Sequence, residues 1–193
     1  MQIIMTRKIT MTRKLKFTSI FIILISISQI SYAQVYLGGG RVISQFSPLT
    51  LDEHRGFGAI VQRQIYFEES KFSLTPTLQG SLLTGRQYSA FLPEFYTTVS
   101  VSTHINFDVI STNKFRITPF VGPSFIWATG LNAGGVIFDD EPVNFYRFGL
   151  EGGMSLTYVF SDKFSVKIIP LSYTWGTKDF VQGNVLSLLF QIM

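Results

Sequence analysis

The chain has 193 residues, 46% of them hydrophobic and 15% aromatic, with 16 Lys+Arg, 12 Asp+Glu and no cysteine. The lack of cysteine excludes disulfides, a thiolate metal site, a cysteine nucleophile and a lipidated cysteine anchor. Beyond the N-terminal segment no apolar run reaches the ~18 residues of a spanning helix, so a membrane crossing there has to be a closed barrel, which pairs every backbone polar group.

Residues 1–33 read as a cleavable secretory signal. Arg7, Lys8, Arg13, Lys14 and Lys16 form a positive n-region. Phe17 to Ile27 is a short apolar core, and Ser31-Tyr32-Ala33 supplies small residues for cleavage before Gln34. Met-Thr-Arg-Lys occurs at Met5 and again at Met11, so translation starts at Met1, Met5 or Met11 with one mature product. Removing five of the sixteen basic residues and none of the acids leaves 11 against 12, net −1. The basic character of the whole chain therefore belongs to the signal, and no nucleic-acid partner is expected.

Residues 34–193 read as one domain of eight strands, near 35–45, 55–67, 72–84, 94–109, 115–129, 145–160, 164–174 and 184–192. Three turns end in Lys-Phe, at Lys71-Phe72, Lys114-Phe115 and Lys163-Phe164, 43 and then 49 residues apart. Each opens a strand of alternating apolar and polar residues. Phe115, Ile117, Pro119, Val121, Pro123, Phe125 and Trp127 share one face, and Arg116, Thr118, Gly122, Ser124 and Ala128 the other, with Phe120 and Ile126 among them. Alternation over 13 to 15 residues exceeds the ~5–6 of a soluble strand and suits a tilted membrane strand. The connections near 68–71, 111–114 and 161–163 are short; those near 46–54, 85–93, 130–144 and 175–183 are longer. Short periplasmic turns and longer outer loops give that asymmetry. Aromatics at both ends of the strands, such as Phe72, Phe107 and Phe164 on one side and Phe57, Trp127 and Trp175 on the other, fit two interfacial girdles.

In so narrow a barrel side chains fill the lumen. The alternation points His104, Asp108, Arg116, Arg147, Glu151 and Lys167 inward, and predicts a structural ion-pair network such as Arg147 or Arg116 with Glu151. A proton or ion path is the functional alternative. Arg63 is left open: alternation sends it toward lipid, where it can snorkel, and a β-bulge would turn it inward.

Catalysis of the lipid-acyl type needs a serine, a histidine base and an orienting acid within hydrogen-bond reach. Of the two histidines, His104 is flanked by Ser102 and Asn106 at a spacing of ~7 Å along a strand face, and His54 has no serine tied to it by local spacing. There is no Gly-x-Ser-x-Gly elbow, so no catalytic residue is assigned. Asp139-Asp140-Glu141 could hold a hard cation or bridge one to lipopolysaccharide phosphates. Three consecutive acids do not converge without a special loop shape, so no metal or cofactor is assigned. With Val136, Ile137 and Phe138 they make the loop from Gly130 to Asn144 the candidate contact surface; the plainer alternative is that these apolar residues extend the hairpin.

The alternating strands, the girdles and the final strand Leu186-Ser187-Leu188-Leu189-Phe190-Gln191-Ile192-Met193 resemble the small eight-stranded outer-membrane β-barrel family of Gram-negative bacteria. The family's C-terminal assembly signal commonly ends in an aromatic, whereas this chain ends in Met193 with Phe190 three residues earlier. The resemblance implies an all-β, antiparallel up-and-down transmembrane barrel, exported to the bacterial outer membrane and inserted by the barrel-assembly machinery as a monomer. It implies contact with outer-membrane lipid and lipopolysaccharide, and a structural or adhesive role toward a surface protein or host ligand through the outer loops. A lipid-modifying enzyme and a narrow channel are the alternatives.

Overall fold

The computed structural model describes residues 33–45, 54–67, 70–85, 95–132 and 141–192. Its strands are β1 (Ala33–Gln45), β2 (His54–Tyr66), β3 (Phe72–Gly85), β4 (Phe95–Phe107), the two-residue β5 (Ile110–Ser111), β6 (Phe115–Asn132), β7 (Glu141–Ser161), β8 (Phe164–Gly176) and β9 (Val181–Gln191). The order runs β4-β3-β2-β1-β9-β8-β7-β6, and a β4–β6 pairing closes it into an antiparallel barrel of eight long strands. β5 continues the line of β4 after an irregularity at Asp108-Val109 and pairs with β6 through Ile110↔Ile117 and Ser111↔Arg116.

Alternation sets the inside and the outside. On β6, Thr118, Phe120, Gly122, Ser124, Ile126 and Ala128 are buried, while Val121, Phe125 and Trp127 are exposed. Among the described residues buried polar side chains outnumber buried apolar ones, and large apolar side chains such as Phe57, Leu82, Val101, Phe148 and Leu171 lie outside. A polar interior under an apolar exterior suits a lipid environment and inverts the arrangement of a water-soluble domain.

The girdles form at the ends of the strands. On the short-turn side Phe72 packs on Phe107 with ring centroids 5.0 Å apart, and Phe160 on Phe164 at 5.4 Å. On the long-loop side Tyr173 meets Trp175 at 4.6 Å, and Trp127 Nε1 donates to Asn144 Oδ1 at 2.6 Å.

Two expectations change. The connection near 175–183 is short: only residues 177–180 separate β8 from β9. Lys178 and Asp179 take positive φ of 58° and 57°, which reverses the chain tightly, and Gly176 N–H donates to Phe180 O at 2.7 Å. The loop from Gly130 to Asn144 is also shorter than its sequence suggests, because the β6–β7 ladder runs on to Asn132↔Glu141. Arg63 is settled as well. Gln62↔Thr77 and Ile65↔Leu74 share one register, so no bulge turns it inward. It stands half-buried opposite Pro76, between the buried Gln62 and Gln64.

The last two barrel strands each carry one extra residue. Between β7 and β8 the register shifts at Met154/Leu156, and between β1 and β9 it shifts at Gly39/Arg41. Yet β8 and β9 stay in constant register, Ile169↔Ser187 and Leu171↔Val185. The extra residues, Pro170 and Leu186, therefore lie opposite each other. Pro170 has no N–H to lose from a ladder, and Leu186 takes φ of 52°. Each interrupts the alternation once, and inward polar residues continue on either side of it, Lys167 and Ser172 on β8 and Asn184 and Ser187 on β9.

Candidate functional site

The lumen is stacked in three layers. Nearest the short turns, β1 and β2 bring Tyr36 and Tyr66 together around Gln34. Both hydroxyls donate to Gln34 Oε1, at 2.8 and 3.3 Å, and Arg116 Nη1 donates to Tyr66 Oη at 2.6 Å, with its guanidinium 5.1 Å from the Tyr66 ring centroid. Tyr36 Oη also lies 2.9 Å from Ser165 Oγ, whose own proton goes to Gln191 Oε1. Just above, Lys167 Nζ donates to Gln64 Oε1 at 2.6 Å and lies 4.0 Å from the Tyr36 ring centroid. Asp108 accepts from Thr118 Oγ1 at 2.7 Å, and Asn106 Nδ2 donates to Thr75 Oγ1 and to Ser73.

The middle layer centres on Glu151. Its Oε2 lies 3.0 Å from His104 Nε2 and its Oε1 accepts from Ser172 Oγ at 2.9 Å. As a carboxylate Glu151 can only accept, which assigns the proton to Nε2. Asn184 Nδ2 donates to Ser172 Oγ and its Oδ1 accepts from Gln79 Nε2, so the chain of bonds crosses the lumen. His104 Nδ1 faces Thr77 Oγ1 at 3.4 Å, and the imidazole packs on Phe120 at 4.8 Å. Gly153 on β7 makes room for that ring: a Cβ there would stand 2.7 Å from Phe120 Cζ and 2.8 Å from Ser172 Cβ.

The outer mouth is closed by an apolar layer of Val42, Leu83, Tyr96, Ile126, Ala128 and Phe180, with Phe145 against it. Phe180, in the β8–β9 connection, is fully buried. His54 caps the same layer, edge-on to Tyr96 at 4.7 Å. Between the layers Gln62, Gln64, Thr75, His104 and Lys167 border a void of only about 10 Å³, about enough for one water.

Four of the residues singled out by alternation, His104, Asp108, Glu151 and Lys167, are buried in the lumen. Arg116 and Arg147 are partly buried. The expected Arg–Glu pairing is replaced: Glu151 meets His104, Arg116 meets Tyr66, and Arg147 sits at the rim with its guanidinium 4.4 Å from the Phe145 ring centroid. The physical reason is depth, since Arg116 stands one residue into β6 and Glu151 near the middle of β7. Of the proposed contact loop, Val136, Ile137, Phe138, Asp139 and Asp140 lie outside the described residues. Glu141 opens β7 opposite Asn132.

Several central residues escape a strand-by-strand reading. Tyr36 and Tyr66 look like ordinary strand aromatics, and only their inward parity marks them. Phe180 falls in a segment that reads as loop.

No protein-family model matches the sequence, and no curated protein sequence does. Solved structures do match the fold. Neisserial surface protein A (NspA) superposes with a TM-score of 0.61 at 11% identity, covering 83% of this chain and 96% of that one. Ail, the attachment invasion locus protein of Yersinia pestis, superposes with a TM-score of 0.54 at 13% identity, covering 83% and 97%. Ail has also been solved in complex with the heparin analogue sucrose octasulfate, with a TM-score of 0.51 at 13% identity, covering 82% of this chain and 95% of that one. A closed antiparallel barrel of eight long strands, apolar outside and polar within, is the fold of the small eight-stranded outer-membrane β-barrels, and this chain has it.

Proposed function

We propose that the mature chain, from Gln34, is an integral barrel of the bacterial outer membrane that acts through its outer surface, in a structural or adhesive role, and not through its interior. The packed lumen carries this reading. An apolar layer around Phe180 covers the outer mouth, and a polar network fills the middle, so a narrow channel has no continuous water column to use. The lumen also argues against a hydrolase. A triad needs histidine between the serine and the acid, so that it can take the serine proton. Here the acid stands in the middle, with Ser172 and His104 on separate oxygens of Glu151.

What remains available to partners is the outer face and its loops. Ail, which has the same fold, is named for attachment and has been captured with a sulfated sugar. That supports interaction with surface glycans for this chain. Export rests on the signal at 1–33, and insertion on the Leu186–Met193 strand as a substrate of the barrel-assembly machinery. Fractionation of cells expressing the full chain tests the placement. The expected result is an outer-membrane band that migrates differently when unheated; a soluble periplasmic product would overturn it. Replacing residues 133–140 by a short Gly-Ser linker is expected to leave that heat-modifiable band and to reduce binding of the expressing cells to glycan-coated surfaces.

A further inference from the structure

Gln62, Thr75, His104 and Lys167 border the void of about 10 Å³ between the Lys167 cluster and the Glu151 layer. All four are buried, and each has hydrogen-bonding capacity that its neighbours leave unused. Gln62 is 5% exposed, and its amide has no side-chain partner among the described residues. An ammonium carries three N–H donors. Lys167 gives one to Gln64 Oε1 and turns another side to the Tyr36 ring, which leaves a donor over. Thr75 Oγ1 accepts from Asn106 Nδ2 and keeps its own proton to give. His104, protonated on Nε2, is an acceptor at Nδ1. Its neighbour there, Thr77 Oγ1, is 3.4 Å away and gives its proton to Thr75 O.

Donors and acceptors thus converge on a space the size of one water, and a buried water makes 2–4 hydrogen bonds of this kind. Left dry, the void would hold a buried amide and a buried N–H without partners, which is costly. Dry cavities are lined by apolar side chains, whereas Phe120 and Ile169 are the whole apolar part of this wall. The ammonium opposes a cation, and a chloride or bromide ion is larger than a water. We propose that the void is a binding site for one structural water, which accepts from Lys167 Nζ and Thr75 Oγ1 and donates to Gln62 Oε1 and His104 Nδ1. The water joins the two polar layers into one network. Gln64 and Lys167 stand on one side of it, and His104, Glu151 and Ser172 on the other. By giving His104 Nδ1 a donor, it also holds the tautomer that presents Nε2–H to Glu151.

The test uses the mature protein refolded in detergent micelles, with the Ile169 methyl groups isotopically labelled. Ile169 borders the void and its side chain has no proton that exchanges with solvent. A nuclear Overhauser cross-peak from water to an Ile169 methyl is expected in the wild type. Ser155 also borders the void, and Ser155→Thr adds one methyl group to the wall while keeping the hydroxyl. The variant is expected to lose the cross-peak. It is also expected to lower the folding equilibrium constant about fivefold to tenfold, the worth of roughly one hydrogen bond. Filling a dry void would instead raise that constant. A crystal of the wild type soaked in sodium bromide needs no variant and decides the matter if Ser155→Thr does not fold. The expected result is a light-atom peak within hydrogen-bond reach of Lys167 Nζ and the Gln62 amide, with no anomalous signal. An anomalous bromide peak there, an empty void, a wild type without the cross-peak, or a stabilised Ser155→Thr variant overturns the site.

Discussion

Glu151 on β7 receives His104 from β4 at 3.0 Å across the strand that separates them, β6. Gly122 stands opposite Glu151 on that intervening strand. Without a side chain there, the carboxylate and the imidazole reach each other over β6. One carboxylate thus ties three strands of the wall, since Ser172 of β8 holds its other oxygen. Glu151→Ala leaves a buried imidazole and a buried hydroxyl without their acceptor. Breaking one side of a buried pair costs ~3–5 kcal/mol, and Glu151→Gln, which keeps one acceptor, is expected to cost ~1–3 kcal/mol. Denaturant unfolding in lipid vesicles measures both. Unchanged unfolding midpoints would show that the network does not hold the barrel together.

Lys167 is buried and spends its ammonium on Gln64 and on the face of Tyr36. Lys167→Met keeps the length of the side chain and removes both contacts. Replacing a buried ion by an apolar isostere can be neutral when its partners are replaced too. Here Gln64 Oε1 would lose its donor, so a loss of ~1–3 kcal/mol is expected. The variant Lys167→Met with Gln64→Leu is expected to recover part of it, and a double-mutant cycle reads the coupling.

Phe180 seals the outer mouth from a connection of only four residues. The wild-type protein is therefore expected to show no discrete conductance in planar bilayers. Phe180→Ala should lower stability by ~3–5 kcal/mol through the cavity it leaves, and still give no conductance, because the layer around Glu151 and Gln79 remains below it. Steady single-channel steps from the wild type would sink the packed-lumen reading. Steps from Phe180→Ala alone would show that the apolar layer is the barrier and the polar layer is not.

Much of the barrel is written in alternation, because a period of two assigns each strand residue to lipid or lumen without knowledge of its neighbours. His104, Asp108, Glu151 and Lys167 follow from that parity alone. Their partners do not. Which inward residues meet depends on the stagger between strands and on closure, so His104 and Glu151, 47 positions apart, share a level that no single strand reveals. Parity also fails wherever a strand holds an extra residue. Pro170 is the one local sign of this in β8, and Leu186 carries no sign at all, being an ordinary apolar residue at φ of 52°. The segment 175–183 reads as a loop from its Gly, Asp and Lys; the burial of Phe180 became visible only with the barrel closed.

The facing extra residues make a prediction of their own. Removing Pro170 would leave Ile169 inward, Leu171 outward and Ser172 inward, an unbroken alternation. Removing Leu186 would do the same for Val185, Ser187 and Leu188. Either deletion alone breaks the constant β8–β9 register, and a slip of one residue moves polar side chains such as Lys167 or Asn184 to the lipid face. Both deletions together keep β8 and β9 in step and also remove the shift at Met154/Leu156 against β7 and the one at Gly39/Arg41 against β1. The double deletion is therefore expected to fold to a heat-modifiable barrel in higher yield than either single deletion, measured by refolding into detergent micelles. Part of any strain at Leu186 would be lifted as well, since a non-glycine residue in the left-handed region costs ~1–2 kcal/mol. If the single deletions fold as well as the double, the two extra residues act independently and their alignment across β8 and β9 has no structural role.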